Sequence, residues 1–119
     1  MVRFDYFVVL AGMRTGSNLL EEALNSVEGL TSHGEVFNPH FVGGPKREDL
    51  FGIGLAERDK DPARLVARIA SDPDALGGFR LFQDHDARVI ADVLATPRAA
   101  KIVLTRNPVD SYVSLKIAR

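Results

Sequence analysis

Phe7-Val8-Val9-Leu10-Ala11-Gly12-Met13-Arg14-Thr15-Gly16-Ser17-Asn18-Leu19-Leu20 decides how this chain is read. Residues 4–11 predict a strand, and the unbroken apolar run 7–10 suits one covered on both faces, as in a parallel sheet between helices. Leu20, Ala23, Leu24 and Val27, with Leu19, recur at helical spacing and predict a helix over 17–27 that stops near Gly29. Strand, glycine-punctuated loop and helix start, in that order, make an anion trap. The first helical turn has backbone N–H groups without intrahelical partners, and the helix dipole adds positive charge there. Gly12 and Gly16 permit a tight backbone approach, Thr15 or Ser17 can cap the helix or donate to a ligand oxygen, and Arg14 offers a planar charged fork.

The P-loop pattern G-x-x-x-x-G-K-[ST] requires a Lys after its second glycine. Here Ser17-Asn18 follow Gly16, and the cation stands earlier, at Arg14. The stretch Arg14-Thr15-Gly16-Ser17-Asn18-Leu19-Leu20 resembles the 5'-phosphosulfate loop of sulfotransferases that use 3'-phosphoadenosine-5'-phosphosulfate (PAPS). It is most similar to the bacterial carbohydrate type, such as the nodulation-factor and trehalose-glycolipid enzymes. The alternative is a plain strand–turn–helix corner with Arg14 on the surface.

Downstream, Gly34-Glu35-Val36-Phe37-Asn38 resembles a segment beside the active site of that family. The resemblance implies Glu35 as the base that takes the acceptor hydroxyl's proton; otherwise it is a surface glutamate or one paired with an arginine. His33 and His40 flank the segment at a spacing that fits no metal motif. Leu76-Gly77-Gly78-Phe79-Arg80-Leu81-Phe82 predicts a strand, and the family carries a Lys where Arg80 stands, near the transferring sulfuryl group. His85 follows at the strand's carboxyl end and is the rival base, since cytosolic sulfotransferases place a histidine there; the alternative is a helix-start residue facing solvent. Residues 100–105 predict a further strand. Arg106-Asn107-Pro108-Val109-Asp110, with Ser114, resembles the family's 3'-phosphate motif, with Ser114 two turns along a helix that starts near Val109. The resemblance implies that Arg14, Thr15, Gly16, Ser17, Asn18, Arg106 and Ser114 bind PAPS, that PAP is the product, and that no metal takes part.

Between these motifs, residues 41–61 carry glycines and charges of both signs and predict a mobile surface loop that orders on substrate binding. Asp61-Pro62 opens a helix with Leu65, Val66, Ile69 and Ala70 on one stripe. Asp86 can cap another, with Ala87, Ile90, Val93 and Leu94 inward.

Composition narrows the class. The 119 residues suffice for one small domain, 45% hydrophobic and 26% charged content are ordinary for a soluble protein, and a net charge of −1 argues against a general nucleic-acid binder. With no cysteine, disulfides, thiolate zinc sites and cysteine nucleophiles are excluded. No apolar run approaches membrane-spanning length and no leader peptide is evident, so a cytoplasmic location is expected. The fold expected is α/β: a parallel sheet flanked by helices in a three-layer, P-loop NTPase-like (sulfotransferase) arrangement. The chain ends inside the 3'-phosphate motif, and Leu19 stands where cytosolic members often place an aromatic. The expectation is therefore an incomplete N-terminal portion of such a domain. It would bind cofactor with turnover in doubt and self-associate through surface left uncovered. The function expected is sulfuryl transfer to a carbohydrate hydroxyl. The competing classes are a P-loop-type nucleotide-binding module and a non-catalytic interaction module.

Overall fold

The computed structural model describes residues 4–11, 17–44, 47–107 and 112–118, the side chains of Asn18 and of residues 104–118 excepted. The chain forms an α/β fold. β1 (Tyr6–Ala11), β2 (Leu30–Ser32), β5 (Leu76–Leu81) and β6 (Ala99–Asn107) run parallel, and β7 (Tyr112–Ala118) adds an antiparallel edge. The strand order is β2-β5-β1-β6-β7, and a separate two-stranded hairpin pairs β3 (Asp49–Leu50) with β4 (Ile53–Gly54).

The period-two alternation of β1 explains the layers. Tyr6 and Val8 face one core with Phe79 and Leu81 of β5, packed under α3 (Pro62–Ile69) through Leu65 and Ile69 and under α4 (Ala87–Ala95) through Val89 and Val93. Phe7, Val9 and Ala11 face the other way, against Leu20 and Leu24 of α1 (Ser17–Asn25). The unbroken apolar run is thus a strand covered on both sides, as expected. Phe79 anchors the larger core, 6.1 Å from the parallel ring of Tyr6 and 5.3 Å from the edge of Phe37.

β1 lies inside the sheet, and the chain leaves it toward β2 on one side but leaves β5 toward β6 on the other. Such reversals open a crevice at the carboxyl ends of parallel strands, where ligands of α/β sheets bind.

Several sequence expectations shift. Residues 47–60 contain the β3–β4 hairpin and α2 (Leu55–Lys60). In α4, Val93 and the partly buried Ile90 face the core as expected, joined by Val89, while Ala87 is exposed and Leu94 points outward, 61% exposed. Leu19 likewise faces outward from α1, at 73% exposure. The helix expected to carry Ser114 is a strand, because Val113, Leu115 and Ile117 alternate with Ser114 and Lys116, a period of two. Ser114 pairs across the ladder with Thr105, and Arg106 with Val113. Among the described residues, no helix is long and apolar enough to cross a membrane.

Candidate functional site

β5 sends successive side chains to opposite faces, so Arg80 turns away from the Phe79–Leu81 core and toward the start of α1. There it becomes the centre of a polar cluster at the carboxyl end of the sheet. Its Nη1 donates to the Ser17 hydroxyl at 3.3 Å. Its Nε lies 3.2 Å from the Glu21 carboxylate, and its Nη2 lies 3.8 Å from Glu35. All of these groups are largely withdrawn from water, Arg80 most of all, with a side chain only 9% exposed. Ser17 uses its oxygen as acceptor here, which leaves its hydroxyl hydrogen for another partner. The same Glu21 oxygen, Oε2, also accepts from the Ser32 hydroxyl at 2.5 Å. Asn25 in turn clips β2 by accepting from the Ser32 N–H at 2.7 Å and donating to its carbonyl at 3.2 Å.

Glu35 reaches this cluster from an irregular segment. The Glu35 N–H donates to the Gly43 carbonyl at 3.0 Å and the Gly43 N–H returns the bond at 3.1 Å, a single antiparallel bridge. Val36, Phe37 and Val42, inside that loop, are fully buried and pin it to the core. The Asn38 amide donates to Glu35 Oε1 at 3.2 Å.

His85 lies under Glu35, with its side chain wholly buried and its ring parallel to Phe82 at 5.2 Å. The alternative of a solvent-facing histidine is corrected: the turn after β5 folds His85 inward, with its N–H donating to the Phe82 carbonyl at 3.1 Å. Its Nδ1 accepts from the Phe82 N–H at 3.3 Å, which assigns the neutral ring's proton to Nε2. Nε2 faces Glu35 Oε1 at 3.5 Å, an approach too long and misaligned for a formed hydrogen bond. Burial pushes the His85 pKa below its ordinary value near 6.5; the carboxylates of Asp84 and Glu35 pull the other way, and the Arg58 cation reinforces burial. Glu35 is the carboxylate that keeps a face toward solvent, with a side chain 21% exposed. Of these two side chains, Glu35 alone keeps any exposure, and His85 has none.

The chemistry available follows from these contacts. A guanidinium held between two carboxylates presents donors to the oxygens of an anion, and a carboxylate beside it can accept a proton. The described cluster has one cation and two carboxylates, so it lacks the surplus positive charge that a polyanion needs. Arg14, Thr15 and Gly16 lie outside the described residues, as do the side chains of Asn18, Arg106 and Ser114. Among the described residues, no group of three or more His, Asp or Glu side chains converges as a metal cage.

The sequence assigns no role to Glu21 or Arg58, and gives Asn38 only a place in the 34–38 segment. Glu21 stands four residues after Ser17, so the two share a helix face, a signal that was available. Nothing in the mixed charges around Arg58 distinguishes it.

Two histidines give a pH prediction, His85 with a wholly buried side chain and His33 half-buried. His33, like His85, is pushed below its ordinary value by burial, with Asp72 opposing and Arg47 assisting. A histidine whose folded pKa is depressed binds its proton more readily unfolded. Its stabilising effect is complete above the unfolded value and is lost as pH falls toward the folded one. The urea midpoint is expected to fall between about pH 7.5 and pH 5.5. Asp86, held low by its hydrogen bonds from Arg88, titrates below that window. A flat midpoint across the window would contradict the lowered pKa of both rings.

No family model, curated protein or solved structure matches the chain.

Proposed function

We propose that this chain handles PAPS and transfers its sulfuryl group to a hydroxyl, with a carbohydrate as the acceptor class. The observation that carries the reading is the convergence of Ser17, Arg80 and Glu35 at the carboxyl end of the sheet, with Arg80 3.3 Å from Ser17 and 3.8 Å from Glu35. These are the residues that the resemblance nominates, drawn from three separate parts of the chain. The order β2-β5-β1-β6, with β1 inside and the crevice at its carboxyl end, supports a P-loop-like organisation.

In this reading the 12–18 segment and Arg14 hold the 5'-phosphosulfate, and Arg106 with Ser114 holds the 3'-phosphate. Arg80 engages the sulfuryl oxygens, and Glu35 accepts the hydroxyl proton. The acceptor oxygen forms the new bond to sulfur. The old bond from sulfur to the phosphate oxygen breaks, and its electron pair leaves with PAP. Donors aimed at that leaving oxygen lower the barrier most, because negative charge grows there.

Calorimetric titration with PAP tests the reading, with magnesium-ATP and 5'-AMP as controls. PAP is expected to bind in preference to both, and Arg14→Ala and Arg106→Ala are each expected to weaken it at least about tenfold, the loss of a charge-assisted contact. Preference for magnesium-ATP would favour a P-loop-type nucleotide module instead. Absence of any nucleotide binding would favour a non-catalytic module.

A further inference from the structure

Arg58, on α2, is the most deeply buried cation among the described residues, at 2% exposure. Its position is not that of a surface charge folded over by chance. Nη1 donates to the carbonyls of Val36, Asn38 and Phe41, each at 2.8 Å. Nη1 has two N–H groups and faces three carbonyls, so one N–H is shared. Nε and Nη2 fork onto Asp59 at 3.0 and 2.8 Å, and the guanidinium lies 5.9 Å from the Phe37 ring centroid. The three carbonyls span the irregular segment that begins at Glu35. A segment without ladder or helix bonds turns its carbonyls inward, and each needs a donor there. One guanidinium supplies all three.

We propose that Arg58 is a positioning residue: by tying the carbonyls of residues 36, 38 and 41 to one buried guanidinium, it sets how Glu35 meets His85 and Arg80. The role rests on the proposed function for its meaning, but its geometry does not. Neighbouring contacts make the consequence local. Asn38, whose carbonyl Arg58 holds, donates its side-chain amide to Glu35. Val36, whose carbonyl Arg58 also holds, follows Glu35 directly. Removing the guanidinium frees the turn, and Glu35 loses the support that keeps its carboxylate 3.5 Å from His85 Nε2. Among the described residues, the charged groups that act on His85 are Glu35, Asp84 and Arg58 itself, with Arg80 3.8 Å from Glu35.

The test reads the His85 Nε2–H by NMR in the whole chain, with PAP as the binding probe. In Arg58→Met the Nε2–H signal is expected to shift and its exchange with water to quicken about tenfold, as a local opening becomes cheaper. Arg58→Lys keeps the charge and offers three N–H groups from a shorter stem, and is expected to recover part of that protection. PAP affinity is expected to stay within about threefold of wild type in both, since neither change touches the phosphate sites. A folded Arg58→Met with the wild-type signal and exchange rate overturns the proposal, and so does a folded Arg58→Lys no better protected than Arg58→Met. Should Arg58→Met fail to fold, Arg58→Lys decides alone: faster exchange than wild type supports the role, and the wild-type rate overturns it. Wild-type protein that binds no PAP overturns the proposed function and leaves the His85 signal to decide the role of Arg58.

Discussion

Glu35→Gln is expected to lower turnover of PAPS with carbohydrate acceptors by about a hundred- to ten-thousand-fold, while PAP binding survives. The substitution is nearly isosteric and removes only the ability to take a proton. Arg80 keeps its contact with Glu21, so the guanidinium is not left buried without a carboxylate. The Asn38 amide keeps an oxygen to donate to, because glutamine retains one. His85 cannot substitute directly, because its side chain is wholly buried and its Nδ1 is occupied by the Phe82 N–H. The measurement is PAP released from PAPS in the presence of mono- and disaccharides, with calorimetry on the same protein. Retained turnover in Glu35→Gln, together with its loss in His85→Gln, would transfer the role of base to the histidine.

The two carboxylates around Arg80 explain why this cluster was only partly legible in the sequence. Arg80 and Glu35 were found by resemblance, 45 positions apart, and neither signals the other by spacing. Their meeting depends on β2 and β5 being neighbours and on the turn that follows β2. Glu21 was hidden because an acidic residue in a short amphipathic helix normally faces water; only the Ser32 hydroxyl and Arg80 make it internal.

The parallel core was more legible, because its cause is local. Phe7, Val8, Val9 and Leu10 state their two-sided burial in four consecutive letters, and Pro62 with Leu65 and Ile69 states the helix that covers one side. The last element carries two conflicting local signals. Asn107-Pro108-Val109-Asp110 reads as a capped helix start, and it outweighed the alternation of Val113, Leu115 and Ile117, which belongs to β7. The 41–61 stretch reads as a loop in the sequence because the hairpin inside it is two residues per strand, below the length at which alternation is visible. Its turn also sets Phe51 at φ 54° beside Gly52 at φ 77°, a conformation that a phenylalanine does not advertise.

The largest loss of stability from one added methyl is expected at Gly34. Its φ of 85° lies in the left-handed region, where a side chain costs about 1–2 kcal/mol. A Cβ there would also press into the carbonyl oxygen of Gly43, which is backbone and cannot rotate aside. That oxygen is already the acceptor for the Glu35 N–H, and the Gly34 carbonyl accepts from the Arg80 N–H at 2.9 Å. Relief of the clash must therefore move either the bridge that carries Glu35 or the strand that carries Arg80. Overpacking of this kind adds about 1–3 kcal/mol, so Gly34→Ala is expected to lose about 2–5 kcal/mol in urea unfolding. Gly52→Ala is the control. It has a similar φ of 77° but nothing within 4 Å of the added carbon, so only the conformational part should be lost, about 1–2 kcal/mol. Equal losses at the two positions would show that the Gly43 contact is relieved without strain. The expected excess at Gly34 identifies it as the residue that allows the chain to close back on Gly43 and deliver Glu35 to the carboxyl end of the sheet.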